Sequence, residues 1–128
     1  MSVELRLLVW SVALALVQML VAVLASIAKV GLGPLAGNRD DLPAVTGAGG
    51  RARRAHQNMT ENLVVFAALV LVAQVANRTN AATALGAQLF FWARLVYAPV
   101  YVIGIPWLRT AVWAVSFVGM LMILFQLL

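Results

Sequence analysis

The stretch LRLLVWSVALALVQMLVAVLASIAKV, residues 5–30, contains no charged side chain between Arg6 and Lys29. An α-helix needs roughly 20 consecutive apolar residues to cross a bilayer core of about 30 Å, and this stretch is long enough. Three further apolar stretches lie at residues 58–76, 81–104 and 106–128. The chain is therefore predicted to cross a membrane four times.

The composition supports this interpretation. Of the 128 residues, 64% are hydrophobic and only 10% are charged, whereas a soluble domain carries roughly 25% charged residues. The four stretches occupy nearly the whole chain, so we expect one all-α domain, an integral membrane four-helix bundle. Its helices are predicted at about residues 5–30, 51–76, 81–104 and 106–128, with a loop at 31–50.

The first stretch has one alternative interpretation, as a cleaved signal peptide. Its apolar run exceeds the roughly 7–15 residues of a signal sequence, and Glu4 with Arg6 leaves no net positive charge before it. Small residues at Ser26 and Ala28 form a weak cleavage site, which keeps the alternative open.

The basic residues predict the orientation. Two lie on the side of the termini and the second loop, Arg6 and Arg78. Six lie on the side of the first and third loops: Lys29, Arg39, Arg51, Arg53, Arg54 and Arg109. The positive-inside rule places those two loops in the cytoplasm. Short termini without an ER-retention signal favour a bacterial inner membrane, with both termini in the periplasm.

Several kinds of chemistry are disfavoured by residue counts. The chain has no cysteine, which excludes disulfides, thiolate metal sites and a protein thiol nucleophile. With a single histidine, no zinc or haem site is expected. The net charge of +5 is typical of a membrane protein with an excess of basic residues in its cytoplasmic loops, and it does not indicate nucleic-acid binding. Thiol chemistry would have to use the thiol of a ligand.

Polar side chains form a stripe on the second predicted helix. Arg54, Asn58 and Glu61 are spaced by four and seven residues, which places them on one helix face. His56 points to the opposite side and is interpreted as an interface residue. A charge inside a bilayer costs several kcal/mol, about 2.5–3.5 on insertion scales. A Glu61 inside a membrane span is therefore predicted to have a function.

A matching stripe lies on the third predicted helix. Arg94, Tyr97 and Tyr101 are spaced by three and seven residues. At 1.5 Å per residue, Arg94 and Glu61 both lie roughly 15 Å from the same membrane face. Arg109 begins the fourth helix on that side. We therefore expect three helices to direct these groups into one cytoplasm-facing cleft.

A purely structural interpretation is the alternative to a binding site. Glu61 and Arg94 would be an ion pair between helices, and Arg54 and Arg109 would be interfacial residues with extended side chains. The tyrosines would belong to an aromatic belt. The common depth of the two stripes favours a binding site.

The predicted cleft suits a polar ligand with several anionic groups and one ammonium group. Arginine binds carboxylates through its planar fork, and Glu61 would match an amine. Glutathione has two carboxylates, one amine and a thiol, so it fits on charge. Arg109, close to a helix N-terminus, would lower the pKa of the bound thiol and hold the reactive thiolate.

Two motifs resemble a known family. RAHQNMTEN at residues 54–62 is similar to the R-A-x-x-N-x-x-E signature on the second helix of the MAPEG superfamily, the membrane-associated proteins of eicosanoid and glutathione metabolism. RLVYAPVY at residues 94–101 resembles its third-helix R-x-x-Y-x-x-x-Y pattern. Arg109 falls close to the family's arginine at the start of the fourth helix.

The resemblance implies a homotrimer with glutathione between neighbouring subunits. Ligand-binding positions of the family match Arg54, Asn58, Glu61, Arg94, Tyr97 and Tyr101. His56 stands where some members have a glutamine that contacts glutathione from the adjacent subunit. Asn62 stands where one branch has a tyrosine, so that contact is altered or lost. Arg109 corresponds to the residue implicated in thiol activation.

We therefore expect a membrane-bound glutathione transferase that conjugates glutathione to hydrophobic electrophiles, with reduction of lipid hydroperoxides as a second activity. Glutathione is the expected co-substrate, and membrane lipid and a second and third copy of the chain are the expected partners. Two alternatives remain. One is a non-catalytic lipid-binding or scaffold protein of the same fold, and the other is a small multidrug transporter, which would need a membrane-embedded acid.

Overall fold

Four long helices and one short helix make up the computed structural model, which describes residues 1–40 and 42–128. The helices are α1 (Val3–Val30), α2 (Leu32–Ala36), α3 (Gly47–Val75), α4 (Ala81–Ile103) and α5 (Pro106–Leu127). Each of the four long helices is long and apolar enough to cross a membrane. The predicted all-α architecture with four membrane spans is confirmed.

The segment between the first two spans differs from the predicted loop at residues 31–50. It contains α2, in which Pro34 lies in the first turn, where no helical hydrogen bond needs its missing N–H. In addition, α3 begins at Gly47 rather than Arg51. Gly50 is buried, and a Cβ there would collide with the Val45 carbonyl oxygen. Gly50 therefore serves close packing inside the first turn of α3.

The two middle spans hold the bundle together. Helices α3 and α4 contact each other, and each also contacts both α1 and α5. Between them, Phe66 and Phe90 are fully buried and stack with ring centroids 3.9 Å apart. Met59 and Val70 are also fully buried beside them. This core fixes the faces of α3 and α4 that carry the polar stripes.

Helices α4 and α5 approach most closely at two glycines. A Cβ on Gly86 would lie 2.5 Å from the Gly119 carbonyl oxygen, and a Cβ on Gly119 would lie 2.5 Å from the Gly86 carbonyl oxygen. Both obstacles are backbone atoms and cannot rotate away. Small residues that let helix backbones meet are a common feature of membrane bundles.

We expect Gly86→Ala to lower the free energy of unfolding by about 1–3 kcal/mol, as overpacking does elsewhere. Thermal unfolding of the detergent-purified protein measures this effect. Gly33→Ala is the matched control, because a Cβ at Gly33 meets nothing within 4 Å. Equal melting temperatures for the two variants would contradict the close approach.

Polar contacts join the four spans at one end of the bundle. Three side-chain hydrogen bonds lie there: Ser2 Oγ to Gln74 Oε1 at 2.6 Å, Thr83 Oγ1 to Glu4 Oε1 at 2.8 Å, and Asn80 Nδ2 to Gln126 Oε1 at 2.7 Å. Asn80 also caps α4 through a reciprocal pair with Thr83. Glu4, although buried, is therefore a partner of Thr83 and part of the helix packing.

At the opposite end, one arginine fastens α3 to α4. Arg51 Nε donates to the Val102 carbonyl oxygen at 2.8 Å. That carbonyl lies in the last turn of α4, where helical partners are missing. Gly104, with φ of +92°, then ends the helix in the left-handed conformation. This contact sets the spacing of α3 and α4 beside the polar stripes.

Candidate functional site

The two predicted stripes face a common cleft of about 320 Å³. Its lining residues come from α3, α4 and the first turn of α5: Arg54, Gln57, Asn58, Glu61, Tyr97, Tyr101 and Arg109. Six of these seven residues were predicted from sequence. Gln57 was missed, because it lies one position from the stripe and the spacing rule alone does not select it.

Arg94 lies beneath the cleft and is almost completely buried, with 1% of its surface exposed. Its Nη2 donates to Asn58 Oδ1 at 2.8 Å. Nε and Nη1 are buried and have no hydrogen-bond partner. A buried guanidinium with two unused nitrogens is costly unless an anion or another acceptor reaches it. Arg94 therefore has two buried nitrogens that could donate to an anion or to another acceptor.

The ion pair of the structural interpretation is absent at Arg94. Arg94 Nη2 donates to Asn58, and Nε and Nη1 have no hydrogen-bond partner, so Glu61 does not neutralise the charge of the guanidinium. Glu61 is exposed on the outer wall of the cleft. Glu61 and Arg94 lie at equal depth along their helices and both belong to the region of the cleft. Equal depth does not specify which side chains form contacts with each other.

Asn62 does not line the cleft and instead supports Asn58. Asn62 Nδ2 donates to the Asn58 carbonyl oxygen at 2.8 Å and to Asn58 Oδ1 at 3.2 Å. Asn58 Oδ1 thus accepts from both Asn62 and Arg94. Because the oxygen is occupied, the Asn58 amide group is left as a hydrogen-bond donor for the cleft. In this structure Asn62 holds Asn58 in position, and its direct contact with a ligand stays a prediction.

Two arginines flank a pair of tyrosines along one wall, in the order Arg94, Tyr97, Tyr101 and Arg109. Arg94 Cζ lies 4.1 Å from the centre of the Tyr97 ring, and Arg109 Cζ lies 4.7 Å from that of Tyr101. The two rings meet edge to face, with centroids 5.6 Å apart. Cation–π contacts of this kind are worth about 0.5–2 kcal/mol each. They hold the Arg109 guanidinium over the cleft without using its hydrogen-bond donors.

A smaller cavity of about 120 Å³ adjoins the cleft beside Arg109. It shares Asn58, Tyr97 and Arg109 with the cleft and adds Thr110 and Trp113. Trp113 stacks on Phe117 further along α5. An apolar surface thus begins directly next to the charged group at the start of α5. The sequence indicated no role for Trp113, since tryptophans are common in membrane helices.

His56 lies away from the cleft, as its position on the helix predicted. It lines a separate groove between α1 and α3, together with Arg53. Its Nδ1 is buried without a partner. Among the described residues, no group of three or more His, Cys, Asp or Glu side chains could hold a metal ion. The polar groups that line the cleft are guanidiniums, amides, phenols and one carboxylate.

Comparison with known proteins gives one result for the whole chain. A family model described as "MAPEG family" matches residues 7–128. No curated protein and no solved structure matches the chain. The matched range includes the first span from residue 7, the other three spans in full and every residue of the cleft. The chain therefore belongs to the MAPEG family, whose members are membrane proteins associated with glutathione and eicosanoid metabolism.

Proposed function

We propose that this protein is a membrane-bound glutathione transferase that conjugates glutathione to hydrophobic electrophiles. One observation carries the proposal: the buried Arg94 guanidinium, with two unused nitrogens, lies under a cleft that is lined by further cationic groups. Such a site favours a ligand with more than one carboxylate. Family membership supports glutathione over other anionic ligands.

The charges of the cleft match those of glutathione group by group. Arg54 and Arg94 bind its two carboxylates, for which the guanidinium fork has the right geometry. Glu61 binds the ammonium group, and its exposed position leaves it free to do so. The Asn58 amide donates to the peptide carbonyl oxygens. These contacts orient the tripeptide so that its thiol reaches Arg109.

Arg109 supplies the chemistry by stabilising the thiolate. It lies in the first turn of α5, where the helix dipole adds positive potential, and stacking on Tyr101 fixes its guanidinium. The thiol loses its proton to water, and the thiolate forms a carbon–sulfur bond as the electrophile loses its leaving group or its epoxide ring opens. Trp113 and the apolar surface beside Arg109 receive the hydrophobic part of the electrophile.

The same thiolate supports a second activity, the reduction of lipid hydroperoxides. Attack on the peroxide oxygen forms a sulfenic acid of glutathione and releases an alcohol. A second glutathione then gives the disulfide and water. Both steps use the groups already assigned to binding and to the thiolate.

We further propose that the active form is a homotrimer. Within one subunit the cleft is open on the side of Arg54, Gln57 and Glu61, all of which are exposed. A neighbouring subunit would close that side and exclude water. His56, on the other side of α3, would contact glutathione only across such a boundary. We place the cleft at the cytoplasmic face of a bacterial inner membrane, in accord with the basic loops.

Two alternatives predict different behaviour. A non-catalytic lipid-binding protein would bind lipid without forming a thiolate, yet this cleft carries a fixed Arg109 beside an apolar surface. A multidrug transporter would need a proton-exchanging acid within the first span. Glu4 lies in the first turn of α1 and accepts a hydrogen bond from Thr83, and the MAPEG match covers the rest of that span.

Glutathione is expected to raise the melting temperature of the detergent-purified protein in a saturable manner. A ligand at 100 times its dissociation constant adds about 2.7 kcal/mol to the stability of the folded state. The glutathione analogue in which a methyl group replaces the thiol should produce the same shift but form no conjugate. Conjugation is followed with a chromogenic electrophile such as a chlorodinitrobenzene. Absence of a shift at millimolar glutathione would reject the proposal.

A further inference from the structure

A second hollow, the α1–α4 fissure, opens between the first span and the third and has a volume of about 390 Å³. This volume lies within the roughly 300–1,000 Å³ of small-molecule sites. Ala52 and Ala55 of α3, both buried, also line the fissure. The cleft is lined from α3, α4 and α5, and the two hollows share no lining residue. The fissure is therefore a separate candidate site.

The lining of the α1–α4 fissure is apolar and lies deep along the first span. Of the described residues that line it, none is charged and only Gln18 has a polar side chain. Gln18 is twelve residues from the end of α1 at Val30, which is roughly 18 Å at 1.5 Å per residue. Val17 and Val21 line the fissure and are exposed, as side chains that face hydrocarbon are. A ligand that enters from the bilayer at this depth has to be uncharged.

Gln18 supplies this fissure with an unused hydrogen-bond acceptor. Only 8% of its surface is exposed, and its Oε1 is buried without a hydrogen-bond partner. A buried amide oxygen without a donor is unfavourable, because the desolvation of the oxygen is not compensated. A donor on a bound molecule would compensate it.

A second free acceptor lies on the α4 side of the fissure. Pro99 stands inside α4 and has no N–H, so the Leu95 carbonyl oxygen lacks its usual donor four residues later. Both residues line the fissure. An apolar hollow with free acceptors suits a molecule that has one neutral donor. A hydroxyl group both donates and accepts, which matches a primary amide, whereas a carboxylic acid would first have to lose its charge.

We propose that the α1–α4 fissure binds an uncharged lipophilic alcohol of the surrounding bilayer. Its hydroxyl donates to Gln18 Oε1, and its hydrocarbon part lies between α1 and α4. A lipid with a charged headgroup is a poorer occupant, because no charged side chain among the described lining residues would balance that charge. The proposal uses no residue of the cleft and does not rest on the proposed transferase activity.

Protection of an introduced cysteine tests the proposal. The chain has no cysteine, so Ala98→Cys places a single thiol in the wall of the fissure. Its reaction with N-ethylmaleimide is followed in detergent and mildly alkaline buffer, where the thiolate forms. Added 1-decanol should slow the reaction in a saturable manner. Decyl methyl ether has the same chain but no donor and should need a concentration roughly 2- to 10-fold higher, the usual effect of one hydrogen bond.

Matched variants assign this difference to the amide. Gln18→Met, made together with Ala98→Cys, keeps the side-chain length but removes the amide oxygen, so the alcohol and the ether should protect equally. Gln88→Met is the control, because Gln88 is exposed on α4 and does not line the fissure; it should keep the preference for the alcohol. Without ligand, Gln18→Met should melt at the same temperature or higher, since an unpaired buried polar group is removed.

Three outcomes would overturn the assignment. Equal protection by the alcohol and the ether in the protein with Gln18 would exclude recognition by the amide. Equal protection of Val118→Cys, at an exposed apolar position of α5, would show that the alcohol only enters the detergent around the protein. A thiol at position 98 that reacts only after the chains are dissociated would show that a neighbouring copy covers the fissure. The glutathione-induced thermal shift of Gln18→Met is a separate measurement, so failure at the cleft is distinguishable from failure here.

Discussion

Arg94→Met is expected to abolish the thermal shift caused by glutathione while leaving the protein folded. The guanidinium has two unused buried nitrogens under the cleft, and a charged hydrogen bond to a ligand is worth about 1.5–3 kcal/mol. A loss of about 10- to 150-fold in affinity follows. Without ligand, the variant should melt at the same temperature or higher, because replacing a buried, incompletely paired charge by an apolar side chain of similar size is often neutral or stabilising.

Calorimetric or fluorescence melting with and without glutathione measures both effects in one experiment. Arg94→Lys is the matched control, since it keeps the positive charge but cannot bind a carboxylate with two nitrogens, and an intermediate affinity is expected. A variant Arg94→Met that still binds glutathione normally would show that the buried guanidinium serves only the hydrogen bond to Asn58. The proposed carboxylate contact would then be wrong.

Arg109→Ala is expected to lower the rate of conjugation by about 100-fold or more, the usual effect of removing a positioned group at a developing negative charge. Glutathione binding should decrease much less, because Arg54, Arg94 and Glu61 remain. The ionisation of bound glutathione gives a direct measurement, since the thiolate absorbs in the ultraviolet near 240 nm and the thiol does not. The variant should bind glutathione without this absorbance at neutral pH.

Arg78→Ala is the control for this experiment, since it removes an arginine from the far side of the bundle. A protein with Arg109→Ala that conjugates at the unmodified rate would exclude thiolate stabilisation by this residue. Normal glutathione binding combined with no conjugation by the unmodified protein, for any electrophile tried, would favour the non-catalytic alternative.

The membrane spans were predictable because hydrophobicity over some 20 residues depends little on tertiary contacts. The cleft was predictable for a related reason: helical periodicity assigns Arg54, Asn58 and Glu61 to one face whatever the neighbours are. Tyr97 and Tyr101 followed from the same argument on α4. Each of these residues lines the cleft in the structure. Their roles in binding stay predictions until a ligand is measured.

The pairing of side chains was not predictable from periodicity. The structural interpretation paired Glu61 with Arg94, whereas the guanidinium bonds to Asn58, which is itself held by Asn62. Such choices depend on helix rotation and side-chain length at sub-ångström precision. The start of α3 was misjudged for another reason, because Gly50 is small to allow a close approach to Val45 and does not break the helix.

The hydrogen bonds at the far end of the bundle have a mechanical consequence for α5. Gln126 is tied to Asn80 there, and Gly119 is locked against Gly86, so this half of the helix is a fixed base. At the other end, Arg109 stacks on Tyr101 of α4, with its Cζ 4.7 Å from the centre of the ring. Helix α5 is therefore held against α4 at both ends and in between, and it presents the Arg109 guanidinium to the cleft from a braced support.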